Sequence, residues 1–117
     1  MRFLCLVSFE PQTLAALSPT EKAVLDRNSL AYNDELGRNN HYIAAEALEP
    51  VRSARTVRVR HGQTSVTDGP FAEAKEHVGG FILIEAANMN QALEIAAGIP
   101  LAKLGSIEVR PIMKIIV

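Results

Sequence analysis

The run Asp68-Gly69-Pro70-Phe71 places a carboxylate at a forced turn. Asp and Gly favour turning, and Pro fixes the φ that follows. A carboxylate held there can be aimed into a cleft. Beside apolar groups such as Phe71 and Phe81, desolvation would favour its neutral form and suit Asp68 to act as a general base. The plainer alternative is an Asp that bonds its own backbone to cap the turn. Glu73, Lys75 and Glu76 follow as a compact charged cluster. Lys75 could hold an anionic group of a substrate while Glu46 or Glu76 moves a proton. Otherwise these are solvated loop charges, with ion pairs worth ~0–1 kcal/mol each. His77 lies next to the same loop and is the one histidine placed to act as an acid or base.

Arg58 and Arg60 alternate with Val57 and Val59, so both arginines share one face of a strand, ~6–7 Å apart. With Arg110 they could grip a carboxylate through paired N–H donors. The alternative use is to blunt an exposed strand edge. His41, His61 and His77 show no metal-ligand spacing, and the single cysteine, Cys5, sits in an apolar run. No phosphate loop is present, since Gly79-Gly80 matches neither glycine fingerprint. The expectation is therefore no metal and no cofactor, with a small polar molecule as the ligand.

The 117 residues carry 12 basic and 13 acidic groups, a net charge of −1. That balance argues against a general binder of nucleic acid or anionic membrane. With two tyrosines, four phenylalanines and no tryptophan, a base-stacking platform is also poorly supported. Apolar residues make up 48%, enough for the core of one domain over residues 1–117. No stretch has the length of a membrane span. The run Met1–Phe9 stops at Glu10 without a cleavage site, so it reads as a strand and the protein as cytoplasmic, with a reduced thiol.

The elements that must position these groups follow from pattern. Residues 2–9 form an apolar run expected as a strand buried on both faces. Residues 11–17 form a connector with one loose helical turn. Ser18-Pro19-Thr20-Glu21 carries a capping box and starts a helix expected to reach Leu36, with Gly37 ending it. Leu25, Tyr32 and Leu36 mark its inner face, with Ser29 among them. A strand over 41–48 follows, then a hairpin over 56–67 turning at His61-Gly62-Gln63. Phe81–Ile84 is a wholly apolar strand, preceded by glycines expected to allow a bulge or close backbone approach. Asn88 caps a second helix that Gly98 and Pro100 end. Ser106–Ile112 is the last strand, with Pro111 at an edge or bulge.

Without the hairpin, the order is βαββαβ, the split βαβ of ferredoxin-like α+β folds. In that fold both helices cover one sheet face. The strands at 3–7 and 81–84 put large apolar side chains on both faces. A bare apolar face of several hundred Å² is not expected on a soluble monomer. The expectation is a closed two-fold homodimer in which the same face of a second copy covers it.

Beyond these patterns, the sequence resembles the DGPF branch of the YCII-related family. The likeness is carried by Thr56–Arg60, Gly62, Val66–Glu73, Lys75-Glu76, Gly79-Gly80-Phe81 and Gly105–Pro111, with Glu46, Leu48 and Pro50. The resemblance implies a dimeric α+β barrel built from ferredoxin-like halves. It also implies a small bacterial protein of a group mostly without assigned activity, many encoded beside extracytoplasmic-type sigma factors. In the broader family a His/Asp pair in a cleft between sheet and helix is suspected as a site. This sequence departs from that pattern, having no histidine in its first long helix. Two functions follow as expectations. One is a cofactor-free enzyme of proton transfer, isomerisation or elimination, with an Asp base. The other is a non-catalytic metabolite-sensing or protein-interaction module linked to sigma-factor regulation.

Overall fold

The computed structural model describes residues 1–116. Strand β1 (Arg2–Phe9) runs through the middle of a four-stranded sheet. A short helix α1 (Pro11–Ala15) and a long helix α2 (Pro19–Arg38) lead to β2 (Tyr42–Ala47). The hairpin β3 (Arg55–Arg60) and β4 (Gln63–Asp68) comes next, then β5 (His77–Glu85). Helix α3 (Met89–Ala97) and β6 (Ser106–Pro111) complete the order. The sheet order is β2-β5-β1-β6, with every neighbouring pair antiparallel. The hairpin forms a separate two-stranded sheet. The fold is α+β, with antiparallel sheets and three α-helices.

Local signals explain most boundaries. At the start of α2 the Glu21 amide donates to Ser18 Oγ (3.1 Å) and the Ser18 amide to Glu21 Oε1 (2.9 Å). Those bonds to Ser18 hold the Glu21 carboxyl below the usual glutamate range. Asn88 caps α3 in the same manner, accepting from the Gln91 amide at 2.9 Å. The end of α2 differs from expectation. The helix passes through Gly37, and Asn40 adopts the left-handed conformation at φ 62°. The His41 amide then donates to the Leu36 carbonyl at 2.8 Å. Asn tolerates this conformation because its short polar side chain bonds locally. In the hairpin, His61 and Gly62 both have positive φ (53° and 74°), as a two-residue turn between twisted strands requires.

Alternation along β1 and β5 divides the sheet into two unlike faces. Phe3, Cys5, Val7, Ile82 and Ile84 are buried beneath the helices with Leu36, Ala92, Ile95, Ala96 and Ile99. Leu4, Leu6, Phe81 and Leu83 point the other way and are only half-buried. The expectation that β1 is buried on both faces therefore holds for only one face of a single chain. The molecule measures 48 × 47 × 18 Å. The short dimension holds one helix layer on one sheet, since packed layers lie ~10 Å apart.

Among the described residues, no helix is long and apolar enough to cross a membrane. Cys5 is fully buried, and burial pushes its thiol up to about 11. Little thiolate exists at neutral pH, so a maleimide or disulfide reagent should leave native protein unlabelled and label it once urea unfolds it. Fast labelling without denaturant would contradict this packing. Gly105 offers a second test. A Cβ there would meet the Ser8 carbonyl oxygen, with Phe9 Cβ at 3.0 Å. Gly105→Ala should lower unfolding free energy by about 1–3 kcal/mol in urea titration.

Candidate functional site in the cleft between helix and sheet

A cleft of about 620 Å³ opens between α2 and the β2–β5 side of the sheet. Its sheet-side lining joins Val7 and Ile82 to a low stretch at the β2–β5 end. Ala45, Ala47, Gly79 and Gly80 line it where larger residues would fill it. Gly80 pairs with Val7 on one side and Ala47 on the other. A Cβ on Gly80 would lie 2.9 Å from the Glu46 carbonyl oxygen, so the narrow residue also lets β2 approach. Between Val7 and Ser8 the β1–β5 register shifts, leaving Gly79 as the extra residue of a bulge.

One wall of the cleft is polar. Lys22, Asp26, Ser29 and Asn33 line it from α2. Their spacings of four, three and four residues place them on one helical face over ~16 Å of axis. Lys22 Nζ lies 3.3 Å from Asp26 Oδ2. Both are more than half exposed, so the pair remains open to a ligand. Tyr32, beside them, is already committed: its hydroxyl donates to the Ile95 carbonyl at 2.6 Å. Burial, helped by the Glu35 charge, raises its pKa and keeps that donor protonated. Ile99 and Leu101 close the apolar side.

An adjoining cleft of about 950 Å³ shares Lys22 and Gly79 with the first. Phe9, Leu14, Leu17 and Leu48 line it, with Arg52 and His77 at its rim. His77 is therefore placed at a cavity. The two spaces together offer apolar surface, a carboxylate, an ammonium, a hydroxyl and an amide.

Most residues singled out by sequence lie elsewhere. Asp68 is not desolvated in the single chain. Its side chain is 89% exposed and forms an ion pair with Arg55 Nε at 3.0 Å. Phe71 is exposed, and Phe81 belongs to the other sheet, so neither shields Asp68. The hairpin carries the turn away from the main sheet, which is why the expected apolar setting does not form. Arg58 donates to the Phe71 carbonyl at 3.3 Å. Arg110 lies on β6 of the other sheet, 3.9 Å from Glu108, so the three arginines do not share a strand face. Lys75 and Glu76 are both engaged at the Ser8 end of the main sheet. Lys75 pairs with Glu10 at 3.6 Å, and Glu76 accepts from the Ser106 hydroxyl at 2.7 Å. Glu46 stands opposite Phe81, on the open face of the sheet, and borders the cleft from the edge strand. Among the described residues, no three His, Cys, Asp or Glu side chains gather as a metal site.

The α2 residues were missed, yet a signal existed. Lys22, Asp26, Ser29 and Asn33 repeat at helical spacing beside a weak apolar stripe. Facing strands rich in Ala and Gly are the other half of that signal.

The chain belongs to the family described as the YCII-related domain, whose model matches residues 1–116. An uncharacterized protein of Rhizobium meliloti is 46% identical over 67 residues, 56% of this chain. The match spans about half, 54%, of that relative's length. Among solved structures, the chain resembles the 5-chloro-2-hydroxyhydroquinone dehydrochlorinase of Burkholderia phenoliruptrix, in complex with 2,5-dihydroxybenzoquinone. The superposition has a TM-score of 0.57 at 17% identity, covering 97% of this chain and 94% of the other. At that identity the likeness is one of fold.

The Tyr32 bond fixes α2 over the cleft and supports its geometry. Tyr32→Phe leaves the Ile95 carbonyl without this donor and should cost about 1–3 kcal/mol in thermal or urea unfolding. An unchanged midpoint would mean the hydroxyl does not hold the helix.

Proposed function

We propose that the chain is a small-molecule enzyme acting on a small oxygenated ring compound in the cleft under α2. The reaction class is proton transfer, leading to isomerisation or elimination. One observation carries the reading: a floor of Ala and Gly lies beside a wall bearing Asp26, Lys22, Ser29 and Asn33. Such a floor admits a flat molecule, and such a wall offers a base and several donors. The structural neighbour supports the same class, since its name and its complex concern dehydrochlorination and a dihydroxybenzoquinone.

In this reading Asp26 accepts a proton from a ring carbon. The electron pair left behind becomes a double bond within the ring. In an isomerisation the proton returns at another atom. In an elimination the leaving group departs as an anion from the neighbouring carbon. Lys22 stabilises the negative charge that develops on a ring oxygen, and Ser29 and Asn33 orient the substrate. Asp68 is assigned to its ion pair with Arg55 in place of the base role.

The reading includes the assembly. The strand order β2-β5-β1-β6, with α2 and α3 as the crossovers, supports a ferredoxin-like unit with an inserted hairpin. The half-buried row of Leu4, Leu6, Phe81 and Leu83 supports pairing of two such units into a dimeric α+β barrel.

The test is turnover of hydroxylated and halogenated hydroquinones and related enolisable rings, followed by ultraviolet absorbance and mass spectrometry. Asp26→Asn should lower kcat about 10²–10⁴-fold while the fold is kept. Ala45→Leu should raise KM by filling the floor. Full activity in Asp26→Asn would remove Asp26 as the base.

A further inference from the structure

The adjoining cleft offers more space than a single small ring requires. Under α2 about 620 Å³ is open, and a further 950 Å³ or so opens beside it. Cavities of ~300–1,000 Å³ ordinarily take a drug-sized ligand. The second space lies between α1, the start of α2 and the connection that follows β2. Phe9, Leu14, Leu17, Leu48, Val51 and Val78 line it. Leu48 and Val78 are 52% and 45% exposed, so apolar area on this lining still faces water.

We propose that this second space receives an uncharged apolar arm of the substrate, so that the substrate is an alkyl- or aryl-substituted hydroxylated ring. The proposal rests on the ring reading of the cleft under α2 and names its substrate class more closely. Continuity of the two spaces carries it. Lys22 and Gly79 line both, so one molecule can occupy both by passing those two residues. The Lys22 ammonium lies 3.3 Å from Asp26 Oδ2, and its methylene stem gives the passage an apolar side. At Gly79 a Cβ would meet the Phe9 ring. Bare backbone there lets the ring lie against β5, where it lines the second space beside the junction.

The charges around this space select an uncharged arm. Arg52 and Glu49 line it with one charge of each sign, and Lys22 has its partner in Asp26. His77 is the remaining titratable group of the lining. A carboxylate or ammonium drawn inside would lose its hydration without meeting a surplus of opposite charge. Apolar area is what the lining has in excess, and covering it is what an arm gains. Each methylene that enters should tighten binding about three- to fourfold.

Titration calorimetry of the full chain with hydroquinone, butylhydroquinone and hexylhydroquinone tests this. Affinity should rise about 100-fold from the unsubstituted ring to the butyl form. A carboxylate-ended arm should bind more weakly than a methyl-ended arm of equal length. Leu48 is half exposed, so Leu48→Gln should fold, which circular dichroism checks. It should cut the ratio of hexyl to unsubstituted affinity about tenfold. A hexyl arm tipped with a diazirine should, on illumination, attach to residues 14–17 or 48–52, which peptide mapping reads. Hydroquinone binding with no gain from an arm would overturn the proposal and leave the ring reading standing. So would tighter binding of the carboxylate-ended arm, a ratio unmoved by Leu48→Gln, or attachment on the open sheet face at Leu4, Leu6, Phe81 or Leu83. Binding of none of these rings, with or without an arm, sinks the ring reading and the arm together.

Discussion

A sheet covered on one side only is the constraint from which the rest of this structure follows. Alternation in β1 and β5 sends Phe3, Cys5, Val7, Ile82 and Ile84 into the core and Leu4, Leu6, Phe81 and Leu83 to the other face. Helices α2 and α3 both pack on the first face. Burying apolar area is worth roughly 25 cal/mol per Å², so a row of large side chains left half-exposed forgoes several kcal/mol. That deficit is the physical reason to read the folded chain as half of an assembly.

The helix-covered side shows the opposite compromise. A tightly packed layer would put large residues beneath all of α2. Instead Ala45, Ala47, Gly79 and Gly80 leave a space, and Lys22, Asp26, Ser29 and Asn33 take positions that could have held apolar contacts. Empty volume beneath a helix forgoes packing that larger residues would supply. The low floor and the polar wall lie together, which makes the cleft the candidate site. Gly80 serves two purposes there, keeping the floor low and allowing β2 to approach the Glu46 carbonyl.

Local chemistry made much of the fold legible in the sequence. The Ser18–Glu21 box, the Asn88 cap, the His61-Gly62 turn and the two-residue alternation of the hairpin act over a few residues, and each formed as expected. The site was far less legible, because it depends on distances between elements. Asp68 has the residue neighbours of a buried base, yet the hairpin carries it away from Phe81. Lys75 and Glu76 are both tied to the Ser8 end of the main sheet, at Glu10 and Ser106, away from Asp68 in the hairpin. Asp26 drew no notice, since a charged residue on a helix usually marks a solvated face.

Sedimentation equilibrium of the unmodified chain at micromolar concentration bears on this account most directly. One chain weighs 12.7 kDa. The account predicts a single species of twice that mass, persisting on dilution. A stable species at the mass of one chain would show that the open face tolerates water, and would contradict it.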